Sequence, residues 1–423
     1  FGSRDGSARS GPRPTLPASM APRTERPDLA ERARGCMLGL MVGDALGAAV
    51  EGFPPEVVRE IAQEAWGTDI VQGFVPAVPM GTFVPGSEPA TYKVTGLFDN
   101  ASNFVPTGPS KNAALMAQCG RCGMYTDDTN ACLAVASSLV ACSRADAAHA
   151  ARAAAEFSRD NPHYRGVPPS AKGVMRATLA GVPVEETGLP PHFPFPGGSF
   201  ANGGAMRISP VGVAYRHADA ATLRGAVEEV VRASHRHPEA VDFAVVQAAA
   251  VQHALGLASP EDFEAEALLA DLAGRCETDA MRDALLATAA ALRERGGGPA
   301  GPGDFAGDYE ALRELVEGVK RPGSGMGFQI ASVHMAPCVL WVACRYGRRD
   351  PRLALQAAVA LGGDTDTTAS MVGAIVGALH GEACWGEWAA GLETGEWGRD
   401  YVLGLAEKLA ACDCAAYGQA SDY

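Results

Sequence analysis

Glycine recurs at every fourth position in two apolar segments near opposite ends of the chain. The positions are Gly35, Gly39, Gly43 and Gly47 in the first segment, and Gly373, Gly377 and Gly381 in the second. Residues four apart lie on one face of a helix, where each glycine costs about 1 kcal/mol relative to alanine. A glycine face therefore predicts backbone-to-backbone contact with a crossing helix, the contact that GxxxG pairs make in lipid.

Apolar residues follow helical spacing through most of the remaining chain. Helices are expected over 28–50, 55–66, 130–157, 170–181, 219–234, 238–258, 261–275, 278–295, 309–319, 328–347, 351–361, 368–380 and 398–412. No run alternates apolar and polar residues as a strand does, and no βαβ rhythm is present. The sequence therefore predicts one large all-α domain over residues 28–423.

Two regions lack a helical pattern. Residues 1–27 are rich in Arg, Ser and Pro and are expected to form a disordered tail. Because the chain starts at Phe1 and Met20 opens a natural-looking start, residues 1–19 are interpreted as a vector-derived remnant or part of a transit segment. Residues 67–118, rich in Gly, Pro, Asn and Ser, are expected to be a long loop insertion.

Charge and cysteine content argue against several classes of protein. The net charge is −14 and the sequence contains no basic stripe, so direct binding to nucleic acid is not expected. The 11 scattered cysteines favour reduced thiols and an intracellular protein, cytoplasmic by default, with organellar targeting by the tail left open. No segment has about 18 uninterrupted apolar residues, so no membrane span is expected. We expect a monomer.

Two cysteine pairs offer one possible metal site. Cys119 and Cys122 form a CxxC, and Cys412 and Cys414 form a CxC. Together they would supply four thiolates to zinc, but their spacing is not that of a common zinc module. Zinc is therefore the weaker alternative.

Two short acidic clusters, YTDDTNACLAV at 125–135 and GGDTDTT at 362–368, each precede an apolar run. A single Asp or Thr there would be an ordinary N-cap, and capping is the simpler interpretation of either cluster alone. Each cluster, however, supplies two carboxylates together with hydroxyl groups, which is more than one cap requires. We call these clusters the first and the second acidic turn.

If the fold brings the acidic turns together, the four carboxylates of Asp127, Asp128, Asp364 and Asp366 become neighbours. Two like charges at 4 Å repel by about 4 kcal/mol at an effective dielectric constant near 20. Neither turn contains Lys or Arg, so the acids must take up protons or bind cations. Carboxylate and hydroxyl oxygens suit Mg²⁺, Mn²⁺ or Ca²⁺, and four carboxylates balance two divalent ions.

A glycine-rich segment, FPFPGGSFANGGAMRISP, covers 193–210. Small residues let backbone amides approach phosphate oxygens, and Ser199, Asn202 and Arg207 add donors. The alternative is an ordinary glycine loop. His235 is either a core or capping histidine or a ligand contact.

These motifs together resemble the ADP-ribosylglycohydrolase family, of the dinitrogenase reductase-activating glycohydrolase and ADP-ribosyl-acceptor hydrolase type. The resemblance is carried by GCMLGLMVGDALGAAVEG at 35–52, YTDDTNACLAV at 125–135, NGGAMRISPVG at 202–212, SH at 234–235 and LGGDTDTTASMVGAIVGALHG at 361–381. It implies an orthogonally packed all-α fold with a centre of two Mg²⁺ ions, for which Mn²⁺ is an alternative. The implied metal ligands are Thr126, Asp127, Asp128, Asp364, Asp366 and Thr367.

The resemblance also implies a substrate and a reaction. The implied contacts to ADP-ribose are Gly198, Ser199, Phe200, Asn202, Gly203, Gly204, Met206, Arg207 and His235. The implied reaction is hydrolysis at ribose C1″, which removes ADP-ribose from an arginine or serine of a protein or from a small ADP-ribosylated compound. Glu51, on a mobile flap, or Asp127 would be the general base.

Two departures from the family pattern limit what is carried over. The stretch before Thr126 is longer than usual and would reshape the acceptor side of the cleft, and Phe200 stands where some relatives have another aromatic or a small residue. A second interpretation is a non-catalytic, ADP-ribose-binding or crystallin-like member. A third and weaker one is a different two-metal hydrolase, such as a phosphoesterase.

Overall fold

The structure, a computed structural model, describes residues 27–75, 91–93, 104–106, 123–161, 165–296 and 300–417. Residues 1–26 of the expected tail, most of the expected insertion, and Cys119 and Cys122 lie outside these residues. The helices of the described part are α1 (Leu29–Gly47), α2 (Pro55–Trp66), α3 (Asp127–Cys142), α4 (Ala147–Asp160), α5 (Pro169–Leu179), α6 (Val184–Thr187), α7 (Ser209–Ala214), α8 (Ala220–Val231), α9 (Pro238–Gly256), α10 (Ala265–Gly274), α11 (Asp279–Arg295), α12 (Phe305–Gly318), α13 (Ser332–Tyr346), α14 (Pro351–Ala360), α15 (Thr365–His380), α16 (Gly386–Gly391), α17 (Arg399–Ala411) and α18 (Cys414–Tyr417). The prediction of an all-α fold is confirmed.

Helices α1 and α15 form the centre of the fold, and the two glycine series face each other across their contact. A Cβ atom on Gly39 would overlap the carbonyl oxygen of Gly373, and one on Gly377 would overlap that of Gly35. The close contact predicted from the spacing is therefore confirmed. The contact also continues to Gly47, which lies against the backbone of Thr365 and Asp366 at the start of α15.

Helix α1 is more apolar than expected. The most apolar 18-residue window of Leu29–Val50 has a mean hydropathy of 1.3, so this segment could cross a membrane by length and composition alone, although charged residues such as Arg34 and Asp44 interrupt its apolar run. However, 94% of its most apolar window is buried inside the domain. The buried position between α15, α17 and other helices accounts for this composition.

The structure departs from several of the helix boundaries and loops expected from the sequence. The helix expected over 130–157 is two helices, because Ser143 adopts a left-handed conformation (φ 54°) after α3. Helices α3 and α15 begin three residues earlier than expected, because the acidic residues themselves form their first turns. Within the expected irregular insertion, β1 (Thr91–Lys93) and β2 (Phe104–Pro106) pair in antiparallel register.

Candidate active site

The first acidic turn is held by Asp44, a fully buried residue of α1. One Asp44 oxygen accepts hydrogen bonds from the backbone N–H and the hydroxyl of Thr126, both at 2.8 Å. The other oxygen accepts from the backbone N–H (2.9 Å) and hydroxyl (2.6 Å) of Thr129. Asp44 therefore caps α3 from outside and leaves the side chains of Asp127 and Asp128 available for other contacts.

The second acidic turn is held by its backbone and by two amide side chains. Gly362 and Gly363 have φ angles of 67° and 74°, which glycine adopts without strain. The backbone N–H of Asp364 donates to Gln329 Oε1 at 3.0 Å, and Asn202 Nδ2 donates to Asp364 Oδ2 at 2.7 Å. These contacts fix the direction of the Asp364 carboxylate at the start of α15.

The two acidic turns lie side by side. Thr126 Oγ1 is 3.4 Å from Asp366 Oδ2, and Thr367 Oγ1 is 3.4 Å from Asp128 Oδ2. Ser370, one turn further along α15, donates to Asp128 Oδ1 at 2.9 Å. All six residues expected as metal ligands are thus brought to one place, although their role as ligands stays a prediction.

Glu51 joins the same group of acids. Oxygens of its carboxylate and of those of Asp364 and Asp366 all lie within 4.8 Å of one another, and all three side chains are buried. The flanking Gly52 N–H donates to the Gly363 carbonyl at 2.7 Å, and the Gly363 N–H donates to the Phe53 carbonyl at 2.8 Å. In this structure the Glu51 loop is therefore tied to the second acidic turn.

Burial and mutual repulsion make the central acids hard to ionise. Burial, with the added charges of Asp44, Asp127 and Asp364, raises the pKa of Asp128 well above its usual value. Burial, with the charge of Glu51 first among its neighbours, does the same to the pKa of Asp366. A divalent cation held by oxygen ligands would relieve both effects, and oxygen-only donors suit such an ion.

Asp127 differs from the other acids because cations from other elements offset its charge. Burial lowers the pKa of Arg207 to about 10, and the negative charge of Asp127 opposes that change. Burial and Arg176 lower the pKa of Lys172, and Asp127 again opposes them. The sequence argument that the acidic turns contain no cation was correct for the turns themselves but did not include these two residues.

A cavity of about 330 Å³ opens beside the acids. Twelve of the residues singled out from the sequence are among those that line it: Glu51, Asp127, Asp128, Ser199, Asn202, Gly203, Met206, Arg207, His235, Asp364, Asp366 and Thr367. Its other wall is apolar and comes from α3, α4 and α5, with Ala131, Val135, Ala150, Ala154 and Val174. An acidic end, a polar glycine-rich side and an apolar side together form a site for an amphipathic ligand.

A sequence profile of the ADP-ribosylglycohydrolase family matches residues 25–417. The chain belongs to this family. It is 27% identical over 368 residues to a protein described as ADP-ribosylhydrolase ARH3 from Gallus gallus, covering 83% of this chain and 86% of that one. The Homo sapiens protein of the same description is 27% identical over 372 residues, with coverages of 83% and 85%. A solved structure described as an ADP-ribosylglycohydrolase-related protein complex matches with a TM-score of 0.54 and 24% identity, over 91% of this chain and 99% of that one, and it supports the fold.

Four residues that the family resemblance suggested do not line the cavity. Thr126 lies behind the acids, and Gly198 packs its backbone against Arg236. Gly204 packs against His235, and Phe200 lies between Phe195 and His237, with ring centroids 5.9 Å and 6.1 Å apart. Their ligand roles stay predictions, and the contacts of Gly198, Phe200 and Gly204 give these three residues a packing role in the glycine-rich segment.

Asn202 has a second role that the sequence did not indicate. Its side-chain amide donates to Asp364 Oδ2 at 2.7 Å and to the Gln329 carbonyl at 3.2 Å. Both hydrogen bonds are donated by the amide nitrogen, so the side chain supports the second acidic turn. It also lines the cavity, where its expected contact with ADP-ribose stays a prediction.

Three polar residues form a chain along the cavity wall. Arg207 Nη2 donates to Ser234 Oγ at 2.7 Å, and Ser234 Oγ lies 2.8 Å from His235 Nδ1. Because a guanidinium only donates, the Ser234 hydroxyl accepts from Arg207 and is free to donate its proton to His235 Nδ1. Burial and the charge of Arg207 hold the pKa of His235 well below its usual value. His235 is therefore neutral, and a Ser234 hydroxyl that donates to Nδ1 places the His235 proton on Nε2.

The zinc alternative gains no support from the described residues. Cys412 and Cys414 are unpaired thiols, and burial raises the pKa of each. Among the described His, Cys, Asp and Glu side chains, the group close enough to hold an ion is Glu51, Asp364 and Asp366.

Proposed function

We propose that the protein is a metal-dependent hydrolase that releases ADP-ribose by cleaving the bond between ribose C1″ and an acceptor. The acceptor would be an arginine or serine side chain of a modified protein, or a small ADP-ribosylated compound. The observation that carries the proposal is the meeting of both acidic turns and Glu51 at one end of a cavity whose wall contains Arg207 and His235. Family membership supports it.

Divalent ions would be held by buried Asp128, Asp364 and Asp366, with the hydroxyls of Thr126 and Thr367 beside them. The fit is chemical, because these are hard oxygen ligands, and the raised pKa values of Asp128 and Asp366 mark an unbalanced negative charge. Bound Mg²⁺ or Mn²⁺ would supply a Lewis acid that polarises ligand oxygens and acidifies water. We favour Mg²⁺ or Mn²⁺ over zinc on this donor set.

Glu51 is the better candidate for the general base. Its carboxylate lies beside those of Asp364 and Asp366 at the acidic end of the cavity, where the reacting bond of the ligand would lie. Asp127 instead interacts electrostatically with Arg207 and Lys172, which suits it to orient a ligand rather than to remove a proton. In this assignment, Glu51 removes a proton from the attacking water, and Asp127 orients the ligand together with Arg207.

The polar wall would bind the diphosphate of ADP-ribose. Arg207 stays charged at neutral pH, because its pKa of about 10 lies well above 7. His235, held in one tautomer by Ser234, presents an Nε2–H donor beside Gly203. A fixed cation and a fixed neutral donor suit an anionic ligand oxygen.

The test is release of free ADP-ribose by the full chain from a panel of substrates. The panel contains arginine-linked and serine-linked mono-ADP-ribosyl peptides and O-acetyl-ADP-ribose, each with Mg²⁺, with Mn²⁺ and with EDTA. Release that requires the metal supports the proposal, and the preferred linkage identifies the acceptor. Binding of ADP-ribose without turnover on any linkage would instead support a non-catalytic member of the family.

A further inference from the structure

A buried ion pair lies behind the first acidic turn and does not line the cavity. The side chains of Arg165 and Glu393 are only 2% and 4% exposed. Arg165 Nη1 donates to Glu393 Oε1 at 2.6 Å, and Nη2 donates to Oε2 at 3.0 Å. This is a bidentate arrangement, which fixes the relative orientation of the two side chains.

Both members of the pair hold Tyr125. Glu393 Oε1 accepts the backbone N–H of Tyr125 at 3.0 Å, and Arg165 Nη1 donates to its carbonyl at 2.9 Å. The guanidinium carbon lies 3.5 Å from the centre of the Tyr125 ring. Asn161 Nδ2 donates to the Tyr125 hydroxyl at 3.2 Å. Every polar group of Tyr125, and its aromatic face, is thus engaged.

Tyr125 directly precedes Thr126, the N-cap residue of α3. Its peptide direction therefore sets where Thr126 Oγ1 lies relative to Asp366. On the other flank, Arg165 is followed by Gly166, whose φ of 82° brings its backbone close to Asp127. A Cβ on Gly166 would lie 3.5 Å from Asp127 Oδ1. The ion pair thus connects the acidic turn to the cavity wall opposite it.

Stability alone does not account for such a pair. Desolvation of two buried charges offsets most of their attraction, and apolar replacements of similar volume are often as stable. We propose that Arg165 and Glu393 are positioning residues, which clamp Tyr125 and thereby hold Thr126, Asp127 and Asp128 in register with the second acidic turn. This inference deepens the proposed function and rests on it for the metal.

The experiment compares the full chain with Arg165→Lys and Glu393→Gln. Amide hydrogen exchange of residues 123–130 is measured in the metal-free proteins, and Mn²⁺ binding is measured by calorimetry. We expect exchange in 123–130 to accelerate about tenfold or more, while 365–370 keeps its wild-type rate. We expect the Kd for Mn²⁺ to rise about tenfold, the usual effect of losing a residue that orients a ligand.

The matched control is Asp308→Asn. Asp308 and Arg345 form another buried ion pair, with side-chain exposures of 3% and 9%. Arg345 lies thirteen residues beyond Ser332 on α13, roughly 20 Å further along the helix axis. This variant should lower the melting temperature without changing exchange in 123–130 or Mn²⁺ affinity. The double variant Arg165→Met/Glu393→Met removes both charges and therefore leaves neither one buried without its partner. It should fold even if a single variant does not.

Wild-type exchange rates in 123–130 of Arg165→Lys and Glu393→Gln, or acceleration spread evenly over their whole domain, would overturn the positioning role. A wild-type chain that binds no Mn²⁺ would contradict the metal centre of the proposed function instead. In that case the exchange measurement still decides whether the ion pair clamps Tyr125.

Discussion

The two acidic turns have similar compositions, but different interactions hold them in place. The second turn begins α15, whose glycine face lies in backbone contact with α1, so shape fixes its position. The first turn begins α3, which has no such contact and is held by four hydrogen bonds to Asp44. Because Asp44 also belongs to α1, a single buried helix positions both turns, one through packing and one through a carboxylate.

This difference separates two kinds of failure. A defect in the packing should unfold the domain as a whole, because α1 and α15 form its centre. A defect in the hydrogen bonds should loosen one turn and leave the rest of the fold intact. Electrostatic repulsion links the two turns, because the acids of one turn repel those of the other.

The largest effect is expected from a substitution that disrupts the site formed jointly by the two turns. Asp366→Asn removes a second-turn carboxylate that lies 3.4 Å from Thr126 of the first turn. We expect this variant to lose a divalent ion of the proposed site. Because such an ion contributes several kcal/mol to the reaction, the rate of ADP-ribose release should fall by about three orders of magnitude. The control is Asp283→Asn, an exposed acid of α11 that should keep wild-type activity. Normal turnover by Asp366→Asn would mean that the second turn has no part in the site.

The packing is tested by Gly373→Ala. The added methyl group would overlap the Gly39 carbonyl, where backbone rather than a side chain must move, so we expect the free energy of unfolding to fall by about 3 kcal/mol. Urea denaturation measures the change. Gly225→Ala in α8 is the matched control, since nothing lies within 4 Å of its added methyl group. That variant should gain about 0.5–1 kcal/mol from helix propensity. Equal stability of the two variants would disprove the backbone contact.

The hydrogen bonds are tested by Asp44→Asn. The new amide group would face the donors of Thr126 or Thr129, and leaving buried donors unpaired costs about 2 kcal/mol. Hydrogen exchange should accelerate at 126–130 and stay unchanged at 368–373. Asp242→Asn is the control, because Asp242 accepts the N–H and hydroxyl of Thr278, both at 2.7 Å, away from the acids. The Asp242→Asn variant should lose a similar free energy of unfolding, while hydrogen exchange in the first turn stays unchanged.

Local repeats in the sequence predicted the centre of the fold better than they predicted the site. The glycine spacing indicated close packing because each glycine carries that information itself, whatever its partner. Asn202 was expected to contact a ligand, because nothing in its own segment reveals that its amide reaches Asp364, which is 162 residues away.

The residues that support the acids were found only in three dimensions. In the sequence, Asp44 is a single acid within an apolar segment, and the four groups that donate to it belong to two residues of another segment. The cations Arg207 and Lys172 approach Asp127 from two further elements. The apolar cavity wall consists of alanine and valine positions that any buried helix contains, so their sequence held no signal of a site.

The smallest expected effect is the pH dependence of stability, and it tests what the two turns share. Burial and repulsion raise the pKa values of Asp128 and Asp366 in the folded protein above the unfolded value of 3.8. The folded protein therefore binds more protons than the unfolded chain above pH 4, and its stability falls as the pH rises through the folded pKa values. The free energy of unfolding, measured by urea denaturation in EDTA, should therefore decrease between pH 5 and pH 8.

Two further measurements decide whether this slope belongs to the acidic turns. Asp366→Asn removes one of the two raised pKa values, so its slope in EDTA should be shallower than that of the wild type. Saturating Mn²⁺ should reverse the wild-type slope, because the ion binds the deprotonated carboxylates and stabilises the folded state most at high pH. If wild type and Asp366→Asn show the same slope in EDTA, the acids of the two turns do not repel each other, and the charge argument that joins them into one metal centre is wrong.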